Sequence, residues 1–186
     1  MAAKSKQTLR QATLARLAQL SPKKRQAYEQ YACQAVKAYV DQYQIQRLAC
    51  FASFSPELST WEMMERLQVN GCQVYLPRVE PMRQLSFRLF QTPDTLVEKW
   101  GILEPSVTAP EIEINQLDAI LVPGVVFSSE GYRIGYGGGY YDRQLALYNG
   151  RTFSIVSPVQ YHEQADWKIE SHDIAVQDLI IVPESC

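Results

Sequence analysis

Helical spacing of apolar residues dominates the start of the chain. Apolar positions there recur three and four residues apart, which predicts a helix over residues 6–20 and a second helix over residues 22–40. Ser21 is a favourable N-cap for the second helix, and Pro22 fits the first helical position, where its missing N–H is not needed. We therefore expect two N-terminal helices.

Beyond residue 45 the pattern changes to short apolar runs separated by helical or loop-like segments. Helices are expected over residues 60–69, ended by Asn70-Gly71, and over residues 140–148. The apolar runs predict strands at residues 48–51, 74–76, 85–90, 119–122, 153–156 and 179–182. This alternation predicts an α/β fold, a single three-layer Rossmann-like domain with a largely parallel central sheet flanked by helices. Such sheets bind ligands at the carboxyl ends of their strands.

Residues 77–110 have little regular pattern apart from the predicted strand at 85–90. This segment holds five of the ten prolines. We expect a hairpin followed by a long loop on the binding face, because long irregular segments in compact domains usually serve as lids or ligand walls.

Six of the nine glycines lie between Gly124 and Gly139. An apolar strand precedes this run and a helix is predicted after it, an arrangement in which glycine backbone and free helix N–H groups cradle an anion. Arg133, Asp142 and Arg143 could add contacts to phosphate and a divalent cation. A long turn with sharp corners is the alternative, but three consecutive glycines favour a phosphate site. The run is neither a Walker loop nor a dinucleotide fingerprint.

Length and composition predict one domain that spans residues 1–186, since 46% of the residues are hydrophobic. No stretch is long and apolar enough to span a membrane, and there is no secretory signal, so we expect a cytoplasmic protein with no membrane partner. The cysteines lack the spacing of a zinc or disulfide framework, which predicts reduced and mostly buried thiols.

The first 25 residues contain seven basic residues, Lys4 among them, and no acidic residue, although the whole chain has a net charge of −2. Such a start can be an organelle transit peptide, a nucleic-acid arm or a helix that serves a polyanionic ligand. Aromatic residues do not alternate with the basic ones there, so a nucleic-acid partner is not expected. A solvated basic face is the remaining alternative.

The glycine-rich segment closely resembles the signature of one enzyme family. Its elements occur in order as Pro123-Gly124, Val126-Phe127, Gly131-Tyr132-Arg133 and the run from Gly135 to Asp142. These elements resemble the signature of the 5-formyltetrahydrofolate cyclo-ligases, also called methenyltetrahydrofolate synthetases, and the likeness extends over nearly the whole chain.

The resemblance implies an ATP- and Mg²⁺-dependent conversion of 5-formyltetrahydrofolate, with or without a polyglutamate tail, to 5,10-methenyltetrahydrofolate. We expect the protein to be a monomer. A formamide is a poor electrophile, so phosphorylation of the formyl oxygen by ATP would activate it for attack by N10. A relative that has kept the nucleotide site but acts as a binding or regulatory protein is the alternative, because a fold alone does not guarantee a reaction.

The resemblance also assigns residues. Arg133, Tyr140 and Asp142 are expected to be catalytic, and Asp142 and Asp173 to hold magnesium. The Lys6–Arg10 pair favours the polyanion interpretation of the basic start. The residues expected to bind ATP are Lys6, Arg10, Arg78, Arg133, Ile134, Gly135, Tyr136, Gly137, Gly138, Gly139, Tyr140 and Tyr141.

On the folate side, Glu57 matches an acidic residue whose carboxylate accepts hydrogen bonds from the pterin. Trp100 is expected to stack on an aromatic ring, with simple packing as the alternative. The full set of expected substrate contacts is Ala52, Glu57, Trp100, Tyr136, Gly137, Gly138, Gly139 and Tyr140. Two positions depart from the family, since Ser128 and Gln177 stand where the family has acidic residues, which would weaken activity or metal affinity if those acids organise the site.

Overall fold

The computed structural model describes residues 5–186, so that Lys4 lies outside the described residues, and within this range it contains four α-helices, three short 3₁₀ helices and twelve strands. The helices are α1 (Lys6–Ala18), α2 (Pro22–Gln42), α3 (Trp61–Val69) and α4 (Tyr140–Leu145). The strands are β1 (Arg47–Ala49), β2 (Gln73–Glu80), β3 (Gln84–Leu89), β4 (Leu96–Lys99), β5 (Ile102–Pro105), β6 (Glu111–Ile112), β7 (Ala119–Leu121), β8 (Val126–Ser128), β9 (Arg133–Ile134), β10 (Arg151–Val156), β11 (Tyr161–His162) and β12 (Asp178–Ile181).

Serine caps begin the first two helices. The side chain of Ser5 accepts a hydrogen bond from the Thr8 N–H, and that of Ser21 accepts one from the Lys24 N–H. The two predicted N-terminal helices are thus confirmed, with ends shifted by a few residues. The predicted last helix is too long, because α4 ends at Leu145 and the chain continues in turns rather than reaching residue 148 as a helix.

Seven strands form the central sheet in the order β12-β10-β7-β1-β2-β3-β6. The first five of these run parallel, while β3 and β6 are antiparallel to their neighbours. This confirms the α/β fold with a largely parallel central sheet.

Alternate residues of the central strands pack into two separate apolar layers. On one face Leu48 and Leu121 join the buried residues of α2 and α3. On the other face Ala49 and Ile120 pack with Leu145, the last residue of α4. The period-two alternation therefore produces the three layers predicted for the domain.

Two small β-structures were not predicted. The strands β8, β9 and β11 form a separate three-stranded sheet, so the strand β7 does not lead directly into the glycine loop as the sequence suggested. The strands β4 and β5 form a hairpin inside residues 77–110, where we expected only a long loop after the first hairpin. Short strands of two to four residues carry too little pattern to be recognised from sequence.

Three of the four thiols, those of Cys33, Cys50 and Cys72, are buried, and Cys186 is exposed. Burial raises the pKa of the Cys72 thiol to about 11, which keeps it protonated at neutral pH. Within residues 5–186, no helix combines the length and the apolar character needed to cross a membrane.

Candidate active site

The candidate site lies where the order of the central strands reverses. The chain leaves β1 through α3 to β2 on one side, whereas β7 lies on the other side of β1. In open α/β sheets a crevice forms at such a point, outside the carboxyl ends of the strands. The segment after β1 contains Ala52 and Glu57, and the chain after β7 leads through β8 and β9 into the glycine loop, which we define as residues 135–139.

The glycine loop has a backbone that ordinary residues adopt with strain. Gly137 has φ +97° and Gly139, which precedes α4, has φ +65°. A side chain at Gly137 would also approach the guanidinium of Arg10, since its Cβ would lie 3.4 Å from Nη2. The loop therefore requires glycine both for its conformation and for the close approach of α1.

Helix α1 presents two cations to this region. The Nε of Arg10 donates a hydrogen bond of 2.6 Å to the carbonyl oxygen of Gly135, and the Nζ of Lys6 donates one of 2.6 Å to the Oδ2 of Asp173. Residues four positions apart share a helix face, so both cations point the same way. The structure thus brings the Lys6–Arg10 pair to the glycine loop and to the Asp173 segment.

Arg133 and Asp142 form a buried ion pair beside the loop. Arg133 is only 7% exposed, and its Nη2 donates to the Oδ1 of Asp142 at 3.0 Å. Burial lowers the pKa of the Arg133 guanidinium, and the Asp142 carboxylate opposes that effect. Arg133 also donates to the carbonyl oxygen of Ile174, whose N–H donates to Asp142 at 3.2 Å. The pair therefore fastens the start of α4 to the segment that follows Asp173.

The Asp173 carboxylate is held in its ionised form. Burial by itself would raise its pKa, but the hydrogen bond from the Glu170 N–H and the ammonium of Lys6 outweigh burial, so the pKa is lowered. Ligand atoms of Glu170, His172 and Asp173 all lie within 4.8 Å of one another, which makes them a possible cation-binding group. Asp142, which the resemblance paired with Asp173, does not belong to this group of three.

Glu57 faces the glycine loop from the segment after β1. Its Oε2 accepts a hydrogen bond from the Phe54 N–H at 3.1 Å, and its Oε1 accepts one from the Tyr136 hydroxyl at 3.0 Å. Burial raises the pKa of the Glu57 carboxyl, and these two hydrogen bonds only partly offset that effect. The rings of Phe54 and Tyr136 are also neighbours, with centroids 5.1 Å apart.

Arg25, near the start of α2, holds the Glu57 segment in place. Its Nη1 donates to the carbonyl oxygens of Pro56 and Glu57, and its Nη2 donates to that of Leu17 at the end of α1. Sequence reasoning counted Arg25 only as part of the basic start and missed this role. Phe54 and Glu170 were missed as well, and none of the three has a sequence signal beyond its proximity to a predicted site residue.

The two tyrosines at the start of α4 face different environments. The Tyr140 ring lies against Gly138, where an added Cβ would come within 2.5 Å of the ring. Tyr141 packs against the apolar layer that contains Ala49, and its hydroxyl oxygen is buried without a hydrogen-bond partner among residues 5–186. Burial raises the pKa of the Tyr141 hydroxyl, so it remains a hydrogen-bond donor at neutral pH.

Trp100 lies at the turn of the β4–β5 hairpin, where it is 82% exposed and has φ +54°. The Lys99 ammonium lies 4.9 Å from the centroid of its ring. This exposure argues against the packing alternative, because packing would bury the indole.

Side chains attach this hairpin to β2. The Arg78 Nη1 donates to the carbonyl oxygen of Pro105 at 2.8 Å, the Lys99 Nζ donates to that of Val79, and the Val79 N–H donates to Glu104. The described contacts of Arg78 are thus with the hairpin and with Glu80 rather than with the glycine loop.

Of the two positions expected to depart from the acidic pattern of the family, Ser128 lies inside the fold and Gln177 is exposed. Ser128 is fully buried at the end of β8. The Oε1 of Gln177 accepts a hydrogen bond from the Thr152 N–H on β10. Gln177 therefore has a structural contact with the central sheet.

Comparison with known proteins identifies relatives over nearly the full length. Residues 2–182 match the model of the 5-formyltetrahydrofolate cyclo-ligase family. The chain is 30% identical over 159 residues to a 5-formyltetrahydrofolate cyclo-ligase of Haemophilus influenzae, covering 82% of this chain and 84% of that protein. It is 33% identical over 130 residues to the Escherichia coli K12 protein of the same name, covering 68% and 71% of the two chains.

Solved structures show the same fold. The NMR structure of Aquifex aeolicus 5,10-methenyltetrahydrofolate synthetase superimposes with a TM-score of 0.82 at 28% identity, covering 95% of this chain and 89% of that one. A Mycoplasma pneumoniae 5,10-methenyltetrahydrofolate synthetase superimposes with a TM-score of 0.78 at 22% identity, covering 95% and 98%. At that identity, the second likeness concerns the fold alone.

Proposed function

The chain belongs to the 5-formyltetrahydrofolate cyclo-ligase family, and from this premise we propose that it converts 5-formyltetrahydrofolate and ATP to 5,10-methenyltetrahydrofolate, ADP and phosphate. One observation carries the proposal beyond family membership. The glycine loop contacts Arg10 of α1 at Gly135 and contacts Glu57 at Tyr136, so a single five-residue loop joins the proposed nucleotide side to the proposed folate side.

We assign the nucleotide to the cationic side of the loop. Lys6 and Arg10 supply positive charge from α1, and residues 133–141 supply loop backbone and the start of α4. Arg78 completes the expected set, although its described contacts are with the β4–β5 hairpin and Glu80. Polyphosphate oxygens are strong acceptors for such charge-assisted hydrogen bonds. The bond from Arg10 to Gly135 already places one cation against the loop.

Asp142 and Asp173 are the proposed magnesium ligands, because this ion prefers oxygen ligands and is usually held by one or two carboxylates together with substrate phosphates. The Ile174 N–H donates to Asp142 and directly follows Asp173 in the chain, so both carboxylates belong to one connected unit. When bound there, the ion would neutralise charge on the transferred phosphoryl group. Glu170 offers a further oxygen ligand close to Asp173.

We assign the folate to the other side of the loop. The Glu57 carboxylate is the proposed acceptor for the pterin N–H groups, Ala52 lies on the same segment, and Trp100 on the β4–β5 hairpin offers an exposed aromatic surface. The backbone of residues 136–140 lies between the two ligands. The cost of burying Glu57 is consistent with a residue kept for binding rather than for stability.

The proposed reaction proceeds in three steps. The formyl oxygen attacks the γ-phosphorus of ATP, and ADP leaves. The N10 lone pair then attacks the formyl carbon, N10 loses its proton, and the C–O bond breaks to release phosphate and leave the methenyl cation. Arg133 holds Asp142 in position for the first step, and the loop with Tyr140 holds the reacting groups in line and keeps water out.

The whole chain is proposed to act as one cytoplasmic, monomeric domain that binds neither nucleic acid nor membrane. A binding or regulatory protein that keeps only the nucleotide site is the second candidate. The bond between Tyr136 and Glu57 argues against it, because a nucleotide module has no use for a half-buried carboxylate beside the loop.

The test is to incubate the purified protein with 5-formyltetrahydrofolate and MgATP while the absorbance of methenyltetrahydrofolate is followed. Product that depends on both ATP and magnesium supports the cyclo-ligase. Intact ATP binding without product would overturn it in favour of the binding protein.

A further inference from the structure

Tyr136 already makes both kinds of contact that the proposed folate site offers. Its hydroxyl donates to the Oε1 of Glu57 at 3.0 Å, and its ring lies 5.1 Å from the Phe54 ring. A pterin would use the same carboxylate as an acceptor and the same aromatic neighbour as a stacking surface. A side chain of the glycine loop therefore occupies the position that the substrate ring would take.

We propose that the Tyr136 side chain occupies the folate position until substrate displaces it from Glu57, and that it thereby determines specificity. Its displacement also links the folate site to the nucleotide site. This inference rests on the proposed function, since it takes Glu57 as the pterin acceptor. It concerns the side chain of Tyr136, whereas the assignment above concerns the backbone of the loop.

Tyr136 is well placed to leave. It lies between Gly135 and Gly137, and its side chain is 43% exposed. Its hydroxyl makes one hydrogen bond among the described residues, the bond to Glu57. Flanking glycines give the backbone freedom to rotate, so Tyr136 can release Glu57 without disturbing the buried pair of Arg133 and Asp142.

Phe54 and Arg25, by contrast, keep Glu57 in place after Tyr136 leaves. The Phe54 N–H remains bonded to the second carboxylate oxygen, and Arg25 continues to hold the backbone carbonyl of Glu57. The freed Oε1 is then a preformed acceptor in a half-buried position. A ligand that offers adjacent N–H donors, as the amino-pyrimidinone edge of a pterin does, can replace the single phenol donor.

Displacement of Tyr136 also changes the conformation of the glycine loop, which α1 contacts through Arg10. Arg10 holds the carbonyl oxygen of Gly135, the residue directly before Tyr136. A nucleotide that draws Arg10 or the loop backbone to its phosphates therefore shifts Tyr136, and a folate that displaces Tyr136 shifts the loop. Such coupling is reciprocal, so each ligand strengthens the binding of the other by the same factor.

Competition from Tyr136 lowers the apparent folate affinity, because only the fraction of molecules with a free Glu57 can bind. A hydrogen bond to a charged group in a partly exposed position corresponds to a penalty of about fivefold to tenfold. Removal of the hydroxyl should recover that factor, although the stacked ring would remain.

The experiment measures the dissociation constant of 5-formyltetrahydrofolate by calorimetry for wild type and Tyr136→Phe, with and without a non-hydrolysable ATP analogue. We expect Tyr136→Phe to bind folate about fivefold to tenfold more tightly than wild type in the absence of nucleotide. The factor by which the ATP analogue strengthens folate binding should fall towards one in this variant. Tyr136→Ala removes the ring as well and should reduce the coupling further. Tyr132→Phe, which removes a hydroxyl from the neighbouring segment, is the matched control and should change neither quantity.

Unchanged or weaker folate binding by Tyr136→Phe, with an unchanged melting temperature, would overturn the inference. That failure differs from failure of the proposed function. In the first case the wild type still forms methenyltetrahydrofolate, whereas in the second it neither binds 5-formyltetrahydrofolate nor forms product.

Discussion

The Nζ of Lys6 lies 2.6 Å from the Oδ2 of Asp173, a contact between residues 167 positions apart in the chain. The proposed function places the first residue on phosphate and the second on magnesium. In the protein without ligands, each therefore neutralises the other. MgATP would replace both partners at once, because the cation takes the carboxylate and the phosphates take the ammonium.

The first prediction concerns Lys6. Lys6→Met keeps the length of the side chain but removes the charge that meets the triphosphate. We expect the KM for ATP to rise about tenfold to 100-fold, while the KM for 5-formyltetrahydrofolate stays nearly constant. Steady-state kinetics with each substrate varied in turn measure both values. Lys37→Met removes a cation whose described ion pair is the surface contact with Asp41, and it serves as the control. Equal changes in both KM values would contradict the assignment.

The contact also predicts how stability depends on pH. The pKa of Asp173 is lower in the folded protein than in the unfolded chain, so the ionised carboxylate stabilises the fold above its ordinary pKa near 4. This stability is lost as the pH falls through the lowered pKa. Asp173→Asn should therefore be less stable than wild type at pH 7, and the difference should shrink below about pH 4. Urea unfolding at several pH values measures it, and a difference that does not depend on pH would contradict the charged contact.

Substitutions at Arg133 and Asp142 test whether their buried ion pair serves folding, turnover or both. Asp142→Asn leaves the buried Arg133 guanidinium without its anion, and we expect a loss of about 1–3 kcal/mol in the free energy of unfolding as well as most of the turnover. The double variant Arg133→Met/Asp142→Asn should recover much of the stability but none of the turnover. Chemical denaturation and the absorbance assay separate the two effects. Recovery of activity in the double variant would show that the pair acts only in folding.

How much the sequence reveals differs between the sheet and the site. The central strands were predictable because each has a run of apolar residues long enough to show burial on both faces, as in residues 119–122. The strands β8 and β9 were not, because a two- or three-residue strand has no period of its own. The glycine loop was predictable from composition, since Gly137 and Gly139 need positive φ.

Contacts within the site were less accessible to sequence reasoning. Arg25 is one of several basic residues near the start of the chain, and nothing in its local pattern distinguishes it, yet it alone among them holds the backbone of Glu57 in the described structure. Likewise the bond between Tyr136 and Glu57 joins residues 79 positions apart and depends on how two loops meet. Such tertiary contacts follow from the packing of elements and leave no periodic signal.

Glu57 should show opposite effects on stability and on binding. Its pKa is raised by burial, so stability falls as the pH rises from the ordinary pKa of glutamate through the raised value. Glu57→Gln removes the charge that causes this loss and keeps an acceptor oxygen, so the melting temperature at pH 7 should equal or exceed that of wild type. Folate affinity should fall about 30-fold to 100-fold, because a charge-assisted acceptor is lost. Calorimetric melting and a binding titration measure the two effects, and a variant that binds folate normally would exclude Glu57 as the pterin acceptor.

Substitution of Trp100 should change folate binding while it leaves the free energy of unfolding nearly unchanged. The indole is 82% exposed at the turn of the β4–β5 hairpin, so its removal exposes almost no new core surface. Trp100→Ala should leave the free energy of unfolding within about 0.5 kcal/mol of wild type. The KM for 5-formyltetrahydrofolate should nevertheless rise about fivefold to tenfold, because a stacked aromatic pair contributes about 0.5–1.5 kcal/mol beyond the area that it buries. Val107→Ala changes another exposed apolar residue just beyond the same hairpin and is the matched control. If Trp100→Ala has the same folate KM as wild type, the exposed tryptophan does not contact the substrate, and the described contacts of the hairpin with Arg78 and Val79 of β2 are structural.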